Sequence, residues 1–282
     1  MPSSNPAFGR GFARAVNGQG YGQGHGPGAA GWGAAPQTFG APTQAEPYAS
    51  PYTAPPPYTR STVRYMTMDD VVTKTGISFL VTVLAAAATW ALLPMSTALG
   101  LALPAALVGF IVAMVISFRQ IANPAATLAY AALEGVFLGA ISEVFNARFP
   151  GVVTQAVIGT FGVFVGMLVV YKTGAIRVTP KFTRWVVGAL FGALALILVN
   201  LIASFWIPGG LGLRSGGPVA IIFSLIVIGV AAMSLLVDFA MADEAIRRGV
   251  PAKFAWYIAF GLIVTVVWLY LEILRLLSYM RN

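Results

Sequence analysis

From residue 70 to the end, the chain is a series of long apolar runs separated by short polar breaks, and seven of the runs are long enough to cross a bilayer. They fall at about 72–93, 99–117, 125–145, 152–171, 183–206, 218–240 and 253–279. A spanning helix needs ~20 mostly apolar residues. The pattern predicts an all-α polytopic membrane protein, a seven-transmembrane-helix bundle. Composition agrees: 58% of the residues are hydrophobic and 9% charged, against about 25% charged in an ordinary soluble domain. Several starts carry helix signals. Thr67 with Asp70 forms a capping-box pattern before the first run. Asn123-Pro124, Thr179-Pro180 and Gly217-Pro218 each place proline where a helix begins.

The opening of the chain differs. Residues 1–66 are rich in Gly, Pro, Ala, Ser and Gln (GQGYGQGHGPG, TAPPPYT). Such a segment buries too little apolar surface to offset chain entropy, so it is expected as a disordered cytoplasmic tail ahead of a membrane domain at 67–282. It lacks the charged-then-apolar start of a signal peptide. The lone His25 reads as a solvated tail residue. PPPY at 55–58 reads either as a spacer or as a polyproline ligand for an aromatic groove. The chain has no cysteine, which excludes disulfides and thiolate metal sites.

Lys and Arg set the expected orientation. With the N-terminus inside, the inner loops and first span hold Arg60, Arg64, Lys74, Arg119, Lys172, Arg177, Lys181, Arg184, Arg247, Arg248 and Lys253. The outer side holds Arg148, Arg214 and Arg281. Seven spans then put the C-terminus outside, and a plasma (inner) membrane is the expected location. The net charge of +8 is largely this bias. With no soluble domain to bear a basic patch, nucleic acid is not an expected partner. Gly162-x-x-x-Gly166 and Gly188-x-x-x-Gly192 are expected to let helices pack closely within the bundle, with dimerisation the other option.

Nine residues are acidic, and four of them lie in the spans: Glu134, Glu143, Asp238 and Glu272. Intramembrane acids usually face the bundle interior and mark an ion or proton path. Glu134 lies about 15 Å into its helix at 1.5 Å per residue. Glu143 lies near the outer end of its span, where an interfacial position is the simpler reading. Glu272 has Arg275 three residues on, within reach on one helix face. Two carboxylates held close would share a proton and respond to pH, and when ionised would offer hard oxygen ligands to Ca²⁺.

The seven spans, the acid in LLVDFAMADEAI and the final WLYLEILRLL resemble the Bax inhibitor-1 family, also called the transmembrane Bax inhibitor motif family. The likeness covers about 68–282, and the Gly/Pro-rich tail outside it is similar to that of actinobacterial members. The resemblance implies a pH-sensitive Ca²⁺ leak gated by a proton-sharing acid pair on the last two helices. Carried over, the pair falls on Asp238 and Glu272, which would also be transient Ca²⁺ ligands. Glu134 would be a further acid on the path, with Glu143 and Arg275 secondary. No cofactor is implied; Ca²⁺ and protons are cargo and signal, and the lipid bilayer is the surrounding partner.

This chain departs from the family pattern at the first acid, at the second acid and in the connection between them. Val237 stands where the family has tyrosine, the following glutamine is missing, and the second acid is Glu. The connection between the acids is also longer. A straight last helix from Lys253 would lift Glu272 ~28 Å from the inner face, beyond the reach of Asp238. Contact therefore predicts a bend near Gly261, with PAKFAWYIAFG lying along the interface.

The other expectation is a non-conducting protein that modulates a membrane-bound protease or stress-response partner, docked through the tail. Catalysis is not expected. No Gly-x-Gly-Asp adjoins the acids, there is no His-Glu-x-x-His, and no span holds Cys or His.

Overall fold

The computed structural model describes residues 64–281, so His25, PPPY and residues 1–63 of the expected tail lie outside the described residues; residues 64–66, expected as the end of that tail, instead pair with residues 250–252, with Met66 buried. Seven α-helices follow in order: α1 Met68–Leu92, α2 Met95–Arg119, α3 Pro124–Arg148, α4 Val152–Thr173, α5 Pro180–Ala203, α6 Pro218–Arg247 and α7 Ala255–Tyr279. A short 3-10 turn, Ala252–Phe254, precedes α7. All seven are long and apolar enough to cross a membrane. The chain is a multi-pass, all-α membrane protein.

The sequence signals act as expected at the helix starts. The Thr67 side chain accepts from Asp70 N, and the Asp70 carboxylate accepts in return from Thr67 N, closing the capping box. Pro124, Pro180 and Pro218 open α3, α5 and α6. The sixth helix runs past the expected residue 240 to Arg247. Its last turns carry ion pairs at helical spacing, Asp243–Arg247 at 2.8 Å and Glu244–Arg248 at 2.7 Å, and these extend the helix beyond its apolar part.

The helices surround α7. It packs on α1, α3, α4 and α6, while α2 leans on α3 and α5 on α6. Lipid offers helices no hydrophobic gain from touching, so close fit and polar contacts hold such a bundle. Several hydroxyls inside the spans are turned onto their own helix: Ser78, Thr82, Thr89, Thr160 and Ser234 each donate to the carbonyl four residues back. This satisfies them where no water is available. Tyr270 and Ser142 share a 2.7 Å hydrogen bond between α7 and α3, and Thr127 Oγ1 donates to the Trp256 carbonyl lower on the same pair.

One end of the bundle is clamped. Met66 N donates to the Val250 carbonyl and Ala252 N to the Arg64 carbonyl, both at 2.8 Å. Lys74 donates to the Ala252 carbonyl and lies over the Trp256 ring. Arg64 and Lys74 flank Asp70 at 3.0 and 3.7 Å. The α2–α3, α4–α5 and α6–α7 connections share this basic end. At the opposite end, Arg281 reaches the Pro150 carbonyl and Gln155.

The closest helix contact corrects an expectation. Gly162, Gly166, Gly188 and Gly192 do not mediate packing inside the bundle, since a Cβ at any of them would meet nothing within 4 Å. The working pair is Gly135 and Gly139 of α3, against the small residues of α1. A Cβ on Gly135 would lie 2.5 Å from the Thr82 carbonyl oxygen, and one on Gly139 only 2.4 Å from that of Ala86. Both atoms are backbone, so a side chain cannot be admitted without moving a helix.

Gly139→Ala is therefore expected to cost about 2 kcal/mol, as overpacking of a tight contact does. Gly188→Ala should be neutral or slightly stabilising, since alanine favours a helix interior over glycine by about 0.5–1 kcal/mol. Thermal unfolding of the two variants in detergent measures the difference.

Candidate functional site

The four intramembrane acids do not gather in one place. Asp238 lies on α6 nine residues above its end at Arg247, hence about 13 Å up from the basic end at 1.5 Å per residue. Its Oδ2 accepts a 2.7 Å hydrogen bond from Thr265 Oγ1 of α7. The same hydroxyl is 3.3 Å from the Gly261 carbonyl, so the shorter contact takes its single proton. Among the described residues, no cation pairs with Asp238.

Glu272 meets different partners. It is 2% exposed. Its Oε1 accepts from Arg275 Nη1 at 2.7 Å and from Arg214 Nη2 at 3.1 Å. Arg275 is the helical neighbour the sequence offered. Arg214 comes from the α5–α6 connection, which folds back over the bundle end. Tyr279 Oη holds that connection by donating to the Arg214 carbonyl at 3.2 Å. Asn200 holds it from the other side by accepting from Leu211 N. Burial, followed by the nearby Arg275 charge, pulls the Arg214 guanidinium below its usual value, while Glu272 opposes this. Arginine does not give up its proton in proteins, so Arg214 remains a part-buried cation whose charge Glu272 helps to hold.

The Asp238–Glu272 contact expected from the resemblance is not made. α7 is continuous from Ala255 to Tyr279 and does not break at Gly261; a 3-10 turn at Ala252–Phe254 leads into it. Thr265, at the level of Asp238, and Glu272 are seven residues apart, two helical turns on nearly one face. That is a separation of ~10.5 Å along the axis. With Asp238 held at the level of Thr265, the two carboxylates can neither share a proton nor jointly hold a Ca²⁺ ion in this arrangement. No group of three or more metal-binding side chains occurs among the described residues.

Glu134 and Glu143 stand apart on α3. Glu134 points toward α2, where a Cβ on Gly109 would lie 3.5 Å from its Oε1. Gly109 thus makes room for the carboxylate. Glu143 is half-buried rather than free at the surface, and its Oε2 has no hydrogen-bond partner among the described residues.

Sequence reasoning missed Thr265 and the role of Arg214. Thr265 is a hydroxyl in the apolar run GLIVTVVW, and Arg214 is the one charge in GGLGLRSGGP. In both cases the available signal was a polar group isolated in its surroundings. The site so defined belongs to a seven-span membrane bundle whose central helix takes a hydroxyl–carboxylate contact at mid-depth and a doubly paired carboxylate near one end. The chain matches the family described as Bax inhibitor 1 like over residues 5–282 and belongs to it. The match reaches into the N-terminal segment that the motifs had left outside. No curated protein matches the chain at a significant level.

Glu272→Gln should strand two guanidiniums whose side chains are only 28% and 24% exposed. A loss of about 3 kcal/mol is expected, the lower end for breaking a buried pair because both cations retain some solvent. Arg275→Met should cost less, because Arg214 remains on the carboxylate. Unfolding midpoints of both variants test the order.

Proposed function

We propose that the protein is a pH-responsive cation leak with Ca²⁺ as its cargo, and that Asp238 is the intramembrane carboxylate on which the response depends. The observation that supports the reading is Asp238 itself: an acid inside the bundle, held by a hydroxyl and paired with no cation among the described residues. Ionised, it offers a hard oxygen to an entering divalent ion. Protonated, it loses that charge, and the low-dielectric interior then repels the ion. The sign follows: flux rises with pH and falls as Asp238 takes up a proton.

In this reading Glu272 is not the second half of a proton-sharing gate. It is paired with two guanidiniums and ties the α5–α6 connection to α7 as an outer closure. The basic end faces the cytoplasm of a plasma membrane, in keeping with the bias of Lys and Arg. No catalytic role is assigned. The match back to residue 5 favours a second reading, in which the N-terminal segment docks a membrane-bound protease or stress-response partner. Deleting residues 1–60 separates the two, since a leak survives the deletion and partner docking does not.

Ca²⁺ entry into liposomes holding the purified protein, measured from pH 6 to 8, should rise with pH in the wild type. Asp238→Asn should flatten that dependence, whereas Glu272→Gln should keep it while altering the overall rate. Absence of protein-dependent flux at every pH would overturn the leak.

A further inference from the structure

A second feature of the bundle lies on the face where α1 and α4 stand apart. Their side chains meet across the gap at Phe79 and Phe161, whose ring centres are 6.0 Å apart. Around this bridge lies a cleft of about 590 Å³, floored by Phe239 and Ala242 of α6 and Leu262 and Val266 of α7. Its wall on α1 runs from Met68 to Val83. Those fifteen steps span ~22 Å, somewhat more than the ~15 Å of one leaflet's hydrocarbon, half of the ~30 Å core. The cleft therefore begins at the basic end and occupies the depth of one leaflet.

Its rims at Val72, Leu80 and Phe161 are exposed on the lipid-facing perimeter, so the opening faces acyl chains rather than water. The cleft lining is overwhelmingly apolar, with Lys172 at the basic-end mouth. Lys172 has no acidic partner among the described residues. An apolar slot one leaflet deep, with a free cation where headgroups lie, is complementary to one kind of molecule. We infer that the cleft is a phospholipid site: one acyl chain lies between α1 and α4 against the floor, and an anionic headgroup rests on Lys172. A basic group at this level attracts anionic lipid at the surface of a leaflet.

The glycine pattern supplies a clean variant. Gly76 lines the cleft, and a Cβ added there meets nothing within 4 Å. A side chain can therefore start at Gly76 without meeting the fold, and Gly76→Leu is the variant chosen to narrow the slot.

The test uses full-length protein in bilayers doped with phosphatidylglycerol or phosphatidylcholine bearing a diazirine midway along one acyl chain. After illumination, labelled residues are mapped by mass spectrometry. Label is expected on the floor residues Phe239, Leu262 and Val266, which a lipid merely surrounding the bundle does not reach. Gly76→Leu should reduce floor labelling at least fivefold and leave label at the exposed Phe118 of α2 unchanged. Phosphatidylglycerol should label the floor several-fold more than phosphatidylcholine, and Lys172→Gln should remove that preference. Label confined to perimeter residues such as Val72 and Leu80 in the wild type would overturn the site, and this needs no variant to fold. Floor labelling that persists in Gly76→Leu would also overturn it. Equal labelling by the two lipids would overturn the role given to Lys172.

Discussion

In a bilayer, an apolar helix gains nothing by exchanging lipid for another apolar helix. What holds this bundle must therefore be fit and polar contact, and both converge on α7. The Thr127–Trp256 and Ser142–Tyr270 contacts pin it to α3, Thr265–Asp238 joins it to α6, and Glu272 ties it to the α5–α6 connection. Only the α1–α3 contact at Gly135 and Gly139 matters comparably without touching it. The outer helices α2 and α5 lean mainly on α3 and α6 of this frame.

That arrangement separates two carboxylates that the sequence invited one to join. Along α7 the polar groups fall on one stripe, Thr265 and, two turns on, Glu272. Each serves a different purpose because each faces a different neighbour. At mid-depth α7 offers α6 a neutral hydroxyl, which leaves the Asp238 charge unopposed. Near the end it offers one oxygen of its own acid to two cations, which pair with its charge. One helix face thus carries a hydroxyl that holds an acid of α6 and, two turns on, a fixed tie.

Much of this was legible in the residues. The seven spans, the capping box at Thr67 and the three opening prolines follow from local chemistry, so they could be read directly. Arg275 as a partner of Glu272 followed from helical spacing alone. The remainder depended on which face of an apolar helix turns inward, and where every face is apolar the sequence gives no periodicity to decide it. This is why Gly162 and Gly188 looked like contacts and Gly135 and Gly139, within YAALEGVFLGA, passed unnoticed. It is also why a short motif around Glu272 suggested a partner two turns away. Arg214 could not be placed because its reach depends on how a glycine-rich connection folds back.

The position of α7 in the chain has a consequence for biogenesis. The helix that forms the axis of the bundle is the last of the seven to emerge. Synthesis proceeds at ~5–20 residues per second, so for some seconds six helices occupy the membrane around an unfilled centre. Over that interval Asp238 lacks its hydroxyl, Ser142 and Thr127 lack their partners across the bundle, and Arg214 lacks its carboxylate. The segment just before α1 likewise waits for the turn at 249–252 that pairs with it. The order of the helices makes emergence of α7 and closure of the bundle a single event, and any factor that attends the membrane insertion of this protein meets its polar interior before α7 does.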